Sequence, residues 1–106
     1  MTSVIIPDSV FTIHTRAFIR NRIVSLNLGN SVEEIRDYAF SGNQLTSLVI
    51  PTSVDDLGWG TFSLNQLKSV TIQGKTSPED FTNYNYINGW ASGYSDSNIV
   101  WAGSGS

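Results

Sequence analysis

The 106-residue chain has no cysteine, a single histidine and only six lysines and arginines, and each scarcity removes a class of function. Without cysteine there is neither a disulfide framework nor a thiolate metal site. With His14 as the lone imidazole, no triad, paired-histidine acid–base arrangement or histidine-rich metal cluster can be assembled. The basic residues are dispersed, their tightest grouping being Arg16, Arg20 and Arg22, and the formal net charge is -3, so nucleic acid is not an expected partner. No apolar run approaches the roughly 18 residues that would mark a bilayer span, so no membrane insertion is expected. Nine glycines occur, yet none falls in a GxGxxG or GxxxxGK[ST] pattern, which leaves nucleotide binding unsupported.

What the chain does have is a repeat of period 22. Val4, Leu26, Leu48 and Val70 fall in one column, and Ile6, Leu28, Ile50 and Ile72 in the next. Further columns are Ser9, Ser31 and Ser53; Val10, Val32 and Val54; Ile13, Ile35 and Leu57; Phe18, Phe40 and Phe62; and Asn21, Asn43 and Asn65. A fixed period in this range signals a solenoid, in which each repeat is one coil stacked on its neighbour. With 40% apolar and 14% charged residues, a single folded domain is expected. The opening MTSVIIPDSVF lacks the features of a signal peptide. Because Thr2-Ser3-Val4 already lies in the repeat, the chain reads as a C-terminal piece of a longer protein, with Met1 added at the cut.

Leu45 to Gln66 serves as the template. Leu48 and Ile50 alternate with Ser47 and Val49 as a brief strand with one face inward, closed by Pro51. A second extended run over residues 53–57 points Val54 and Leu57 inward, after which Gly58-Trp59-Gly60-Thr61-Phe62 turns the chain back. The matching segments at Arg36 to Phe40 and His14 to Phe18 contain better helix formers and predict a single helical turn. Asn21, Asn43 and Asn65 stand before the next strand, where an asparagine side chain can bond backbone groups left unpaired by a tight turn. One coil cannot offset the entropy of ordering about 22 backbones at roughly 1 to 2 kcal/mol each. Stacking makes the difference by burying each inward column against its neighbours.

These residues resemble the bacterial surface-protein type of leucine-rich repeat, often called BspA-like, whose repeat runs LxxLxIPxSVxxIgxxAFxxC/N. Here LTSLVIPTSVDDLGWGTFSLNQ follows TSVIIPDSVFTIHTRAFIRNR and IVSLNLGNSVEEIRDYAFSGNQ. Gly29 replaces the proline of Pro7 and Pro51, and Thr61 the alanine of Ala17 and Ala39; both departures are expected to loosen the coil locally. The resemblance implies an α/β, β-rich, right-handed leucine-rich-repeat solenoid with a short-stranded parallel sheet along one face. It also implies a place on or outside a bacterial cell and an association with adhesion, and it does not imply an enzyme. It transfers no binding residues and no cofactor.

Residues 1–72 are expected to form the array, three coils plus the strand of a fourth, and residues 73–106 an aromatic, Gly- and Ser-rich C-terminal cap within the same domain. Phe81, Tyr84, Tyr86, Trp90, Tyr94 and Trp101 would cover the open end of the stack. The alternative makes these aromatics a platform for sugar rings. At the other end, Val4, Ile6, Val10 and Ile13 face no preceding coil, so the first repeat is expected to fray or to pair end to end with a second molecule.

Glu33, Glu34, Asp55 and Asp56 share columns on successive coils and are read as a solvated face, with a weak cation site as the sharper alternative. His14 is read as solvated surface. No carboxylate pair stands out for glycoside hydrolysis. The candidate binding face is the outward side of the strands, Ser25, Asn27, Ser47, Val49, Ser69 and Thr71, preceded by Ser3 and Ile5. Small side chains pave it without an aromatic or arginine anchor. The expected role is therefore non-enzymatic: presentation of an extended surface for a protein or glycan ligand outside the cell, or alternatively a spacer that holds another domain away from the wall.

Overall fold

Strands form where branched and aliphatic side chains alternate with small polar ones, and in the computed structural model, which describes residues 2–84 and 99–103, every strand pairing is parallel. The longer strands are β1 (Thr2–Ile5), β3 (Ile23–Asn27), β5 (Ser47–Ile50) and β7 (Ser69–Gln73). Between them lie two-residue strands β2 (Thr12–Ile13), β4 (Glu34–Ile35) and β6 (Asp56–Leu57). The short strands make one ladder, Thr12 opposite Glu34 opposite Asp56, and Ile13 opposite Ile35 opposite Leu57. Each step of that ladder advances one repeat, so equivalent repeat positions stand beside one another.

The long strands do not form one continuous sheet. β1 pairs with β3 and β5 pairs with β7, while β3 and β5 are neighbours that belong to different sheets. The first pair also carries an irregularity between Thr2 and Ser3, opposite Ile23 and Ser25.

Inward positions build the core. Ile23, Val32, Ile35, Phe40, Leu45, Ile50, Val54, Leu57, Val70 and Ile72 are fully buried, whereas Val4, Val10 and Phe18 of the first repeat are half-buried against that core. The phenylalanine column is a stack of parallel rings: Phe18 to Phe40 at 5.2 Å and Phe40 to Phe62 at 5.4 Å, with interplanar angles of 1° and 2°. Offset stacking adds to what the burial of each ring contributes.

The asparagine column closes the turns. Asn43 Oδ1 accepts the backbone N–H of Asn21 and of Ile23, and its Nδ2 donates to the carbonyls of Phe18, Phe40 and Ser41. Asn65 repeats the pattern one rung later, accepting from Leu45 N–H and donating to the carbonyls of Phe40, Phe62 and Ser63. Both thus bond their own repeat and the one before it. Asn21, in the first repeat, is exposed.

The helical turn expected at His14 to Phe18 and Arg36 to Phe40 is absent: these segments are irregular turns. Arg16, Tyr38 and Gly60, at the third position of each, have left-handed φ of 60°, 57° and 61°, and Arg20, Gly42 and Leu64 form a second left-handed column. A left-handed residue breaks an α-helical run. The backbone instead bonds across repeats, with Arg16 N–H to the Asp37 carbonyl, Phe18 to Ala39, Tyr38 to Trp59 and Phe40 to Thr61.

Neither departure from the repeat loosens it. Gly29 has φ 69° and donates its N–H to Asn27 Oδ1. A Cβ there would stand 2.5 Å from the Ile6 carbonyl oxygen, so glycine permits a close approach between repeats. Thr61 is fully buried and its hydroxyl donates to the Gly58 carbonyl at 2.8 Å.

Beyond β7 the period lengthens, but both ladders continue. A short 3₁₀ turn at Pro78–Asp80 leads to β8 (Asn83–Tyr84), which pairs with β6, and β9 (Ile99–Ala102) pairs with β7. The Thr76 backbone N–H and hydroxyl both donate to the Asp80 carboxylate, and the backbone bond above all holds it below the usual carboxylate range. Lys75 is buried, with its ammonium donating to the Thr52 carbonyl at 3.0 Å and standing 4.8 Å from the Phe81 ring centre. Trp101 is half-buried and meets Phe81 edge-on. Tyr86, Trp90 and Tyr94 lie outside the described residues.

Candidate functional surfaces

Two surfaces follow from this framework, one on each ladder. On the long strands, the outward residues are brought into rows by the register. Ser47 stands opposite Ser69 and Val49 opposite Thr71, and Thr71 in turn faces Val100 of β9. Val49 and Val100 are about half exposed and Thr71 is half-buried between them. Ser25 and Asn27 are exposed as well, but they pair with Ser3 and Ile5 on the other sheet. The six expected face residues are therefore split in two, and Val100 joins the larger part. Spacing hid Val100, because it follows Thr71 by more than one period. Asn27 also has its side-chain oxygen committed to Gly29. Asn43, Asn65, Phe40 and Phe62 lie in the core and turns, away from this face.

The second surface surrounds the short-strand ladder. Its outward row runs Glu34, Asp56 and Asn83, and the adjoining turns add Thr15, Arg36, Asp37, Gly58 and Trp59; together these line an open depression of about 280 Å³. Arg36 reaches Glu34 at 3.2 Å and Asn83 Nδ2 donates to Asp56 Oδ1 at 3.0 Å. Asp37 Oδ1 accepts the Trp59 backbone N–H at 2.9 Å. Gly58 permits the close approach of the two turns, since a Cβ there would clash with Asp37, its backbone nitrogen included. Trp59 stands in the column of Thr15 and Asp37 and is 57% exposed. Spacing alone did not mark this group, although an aromatic residue in an otherwise polar column was a visible signal.

Glu34 and Asp56 do lie side by side on the ladder, yet Arg36 and Asn83 satisfy them, and Thr82 bonds Asp55. Among the described residues no group of three or more His, Cys, Asp or Glu is arranged to hold a metal ion. His14 is exposed. No helix among the described residues is long and apolar enough to cross a membrane.

Neither the curated proteins nor the solved structures contain a significant match to this chain. The family profile described as a BspA type leucine-rich repeat region of six copies, however, matches residues 1–88. That span covers the repeats seen above and runs past β8, so the match and the stacked columns agree. The chain belongs to the BspA-type leucine-rich repeat family.

Proposed function

We propose that the chain is a right-handed solenoid of 22-residue coils that presents its outward strand face to a protein or glycan ligand, on or outside a bacterial cell, without catalysing a reaction. Residues 1–72 form the array, and residues 73–106 close its C-terminal end. The observation that carries this reading is the division of labour among the columns. Inward residues are spent on the core and turns, while Ser47, Val49, Ser69, Thr71 and Val100 form a shallow, partly apolar patch with no structural task. Surface-exposed rows on stacked repeats are where such proteins commonly bind. Membership of a family associated with bacterial surfaces supports the location.

The double variant Val49→Asp/Val100→Asp tests the face. Binding of the chain to immobilised extracellular-matrix proteins should fall at least tenfold, with the circular dichroism spectrum unchanged. Wild-type binding that survives the double variant would point away from this face, and no binding by either protein would favour a spacer.

Self-association is the second part of the proposal. Half-buried Val4, Val10 and Phe18 leave apolar surface at the first repeat, and β1 has a partner only on its β3 side in the described chain. Sedimentation velocity over a hundredfold range of concentration should reveal a reversible dimer, and Val4→Lys should abolish it. A monomer throughout that range would rule the contact out.

A further inference from the structure

The depression around Trp59 lies on the opposite ladder from the proposed protein-binding face, and nothing in the repeat's architecture requires it. Gly58 and Gly60 flank an indole that packs into no core column, and the equivalent positions in the earlier repeats are Thr15 and Asp37. A tryptophan that is 57% exposed keeps a large apolar face in water, which has a cost unless something covers it. The polar residues around it are of mixed kind. Arg36 and Asn83 offer donors, whereas Glu34, Asp37 and Asp56 offer acceptors, and each is pre-positioned by a bond to a neighbour in the same group.

We infer that this depression is a carbohydrate site that takes one ring of a neutral pyranoside, with the apolar C–H face of the sugar on the Trp59 indole and its hydroxyls on the surrounding side chains. Three observations select this ligand class. A flat apolar surface beside convergent polar groups matches a sugar ring, which has one face of C–H bonds and a rim of hydroxyls. Each hydroxyl both donates and accepts, so a rim that mixes donors with acceptors suits a polyol better than an ion. The volume of about 280 Å³ lies just below the roughly 300 Å³ at which ligand pockets begin, which suits a single ring and not a folded peptide segment.

Charge narrows the class further. Three carboxylates against one guanidinium leave the rim acidic, so uronic and sialic acids are repelled. A basic peptide would be drawn to the carboxylates, but Arg36 stands among them and already occupies Glu34. Neutral sugars escape both conflicts.

The site deepens the binding-module reading and rests on it only in being non-enzymatic; it uses none of the residues of the strand face. The full chain is titrated calorimetrically with cellobiose, maltose, lactose and N,N′-diacetylchitobiose, and in parallel with glucuronic acid and an oligolysine peptide. At least one neutral disaccharide should bind with a millimolar or tighter dissociation constant. Trp59→Ala should weaken that binding at least tenfold, Trp59→Phe should retain part of it, and Val49→Asp/Val100→Asp should leave it intact. Because the Trp59 side chain lies outside the core, Trp59→Ala should keep the wild-type melting temperature within about two degrees, which separates loss of a site from loss of fold. The inference is overturned if no neutral sugar binds, if binding survives Trp59→Ala, or if only oligolysine or glucuronic acid binds. Failure of the strand-face variant to affect matrix-protein binding would leave this result untouched, so the two readings stand or fall separately.

Discussion

Phe40→Ala should destabilise the chain by about 3 to 5 kcal/mol, in the range for truncating a buried phenylalanine. The ring is fully buried and sandwiched between Phe18 and Phe62, so its removal forfeits burial, leaves a cavity and breaks both stacking contacts at once. Total stabilities of small domains are about 5 to 15 kcal/mol, which makes this a large fraction of what holds the array. Phe18→Ala is the internal control. Phe18 is half-buried and stacks on one side only, so its loss should be clearly smaller. Urea titration followed by far-ultraviolet circular dichroism measures both, and equal losses would mean that the rings act singly and not as a stack.

The second large effect is expected at Asn43. Its side chain makes two accepted and three donated bonds to backbone groups, and it is only 5% exposed. Asn43→Ala leaves those groups without their partner, at about 1 to 3 kcal/mol for each that stays buried and unpaired. Water entering the vacated space offsets part of this, so a net loss of about 3 kcal/mol is expected. Asn43→Asp gives a sharper test. A carboxylate would keep the two accepted N–H bonds, which lower its pKa, but burial and the three carbonyl oxygens of Phe18, Phe40 and Ser41 facing its second oxygen act the other way. The expected outcome is a folded pKa above the unfolded value of about 3.9. The variant is then most favoured when protonated: its stability relative to Asn43→Ala should be highest at acid pH and should fall as pH rises through that raised value. A difference between the two variants' unfolding free energies that is constant with pH would show that the side chain does not hold the turn in this way.

Much of the core was legible because its signal is local and repeated. Val32, Val54, Ile35 and Leu57 could be placed inward from their columns, and each is buried. The turns were less legible, because helix propensity ranks residues by their own preferences and carries no information on neighbouring repeats. Arg16 and Tyr38 adopt left-handed backbone although glycine alone does so readily, since the bonds to Asp37 and Trp59 carbonyls lie across the stack. The pairings of β8 and β9 were hidden for a related reason. Once the period changes, register is set by which inward residue fits the next space, as Ile99 does beside Val70. The separation of β3 from β5 left no mark in columns that continue unbroken through both. The strand-face residues were legible as outward positions, whereas the Trp59 depression arises from a meeting of two columns that are well separated in each repeat.

The direction in which the asparagines point has a consequence for synthesis. Asn43 secures backbone groups of Phe18 and Asn21, and Asn65 secures Phe40 and Leu45, so each residue locks a loop that was made before it. A chain leaving the ribosome from its N-terminus therefore carries a newest loop held only by its own asparagine, its remaining bonds waiting for the asparagine of the next repeat to emerge. Ordering advances like a zip fastened from behind, one tooth late.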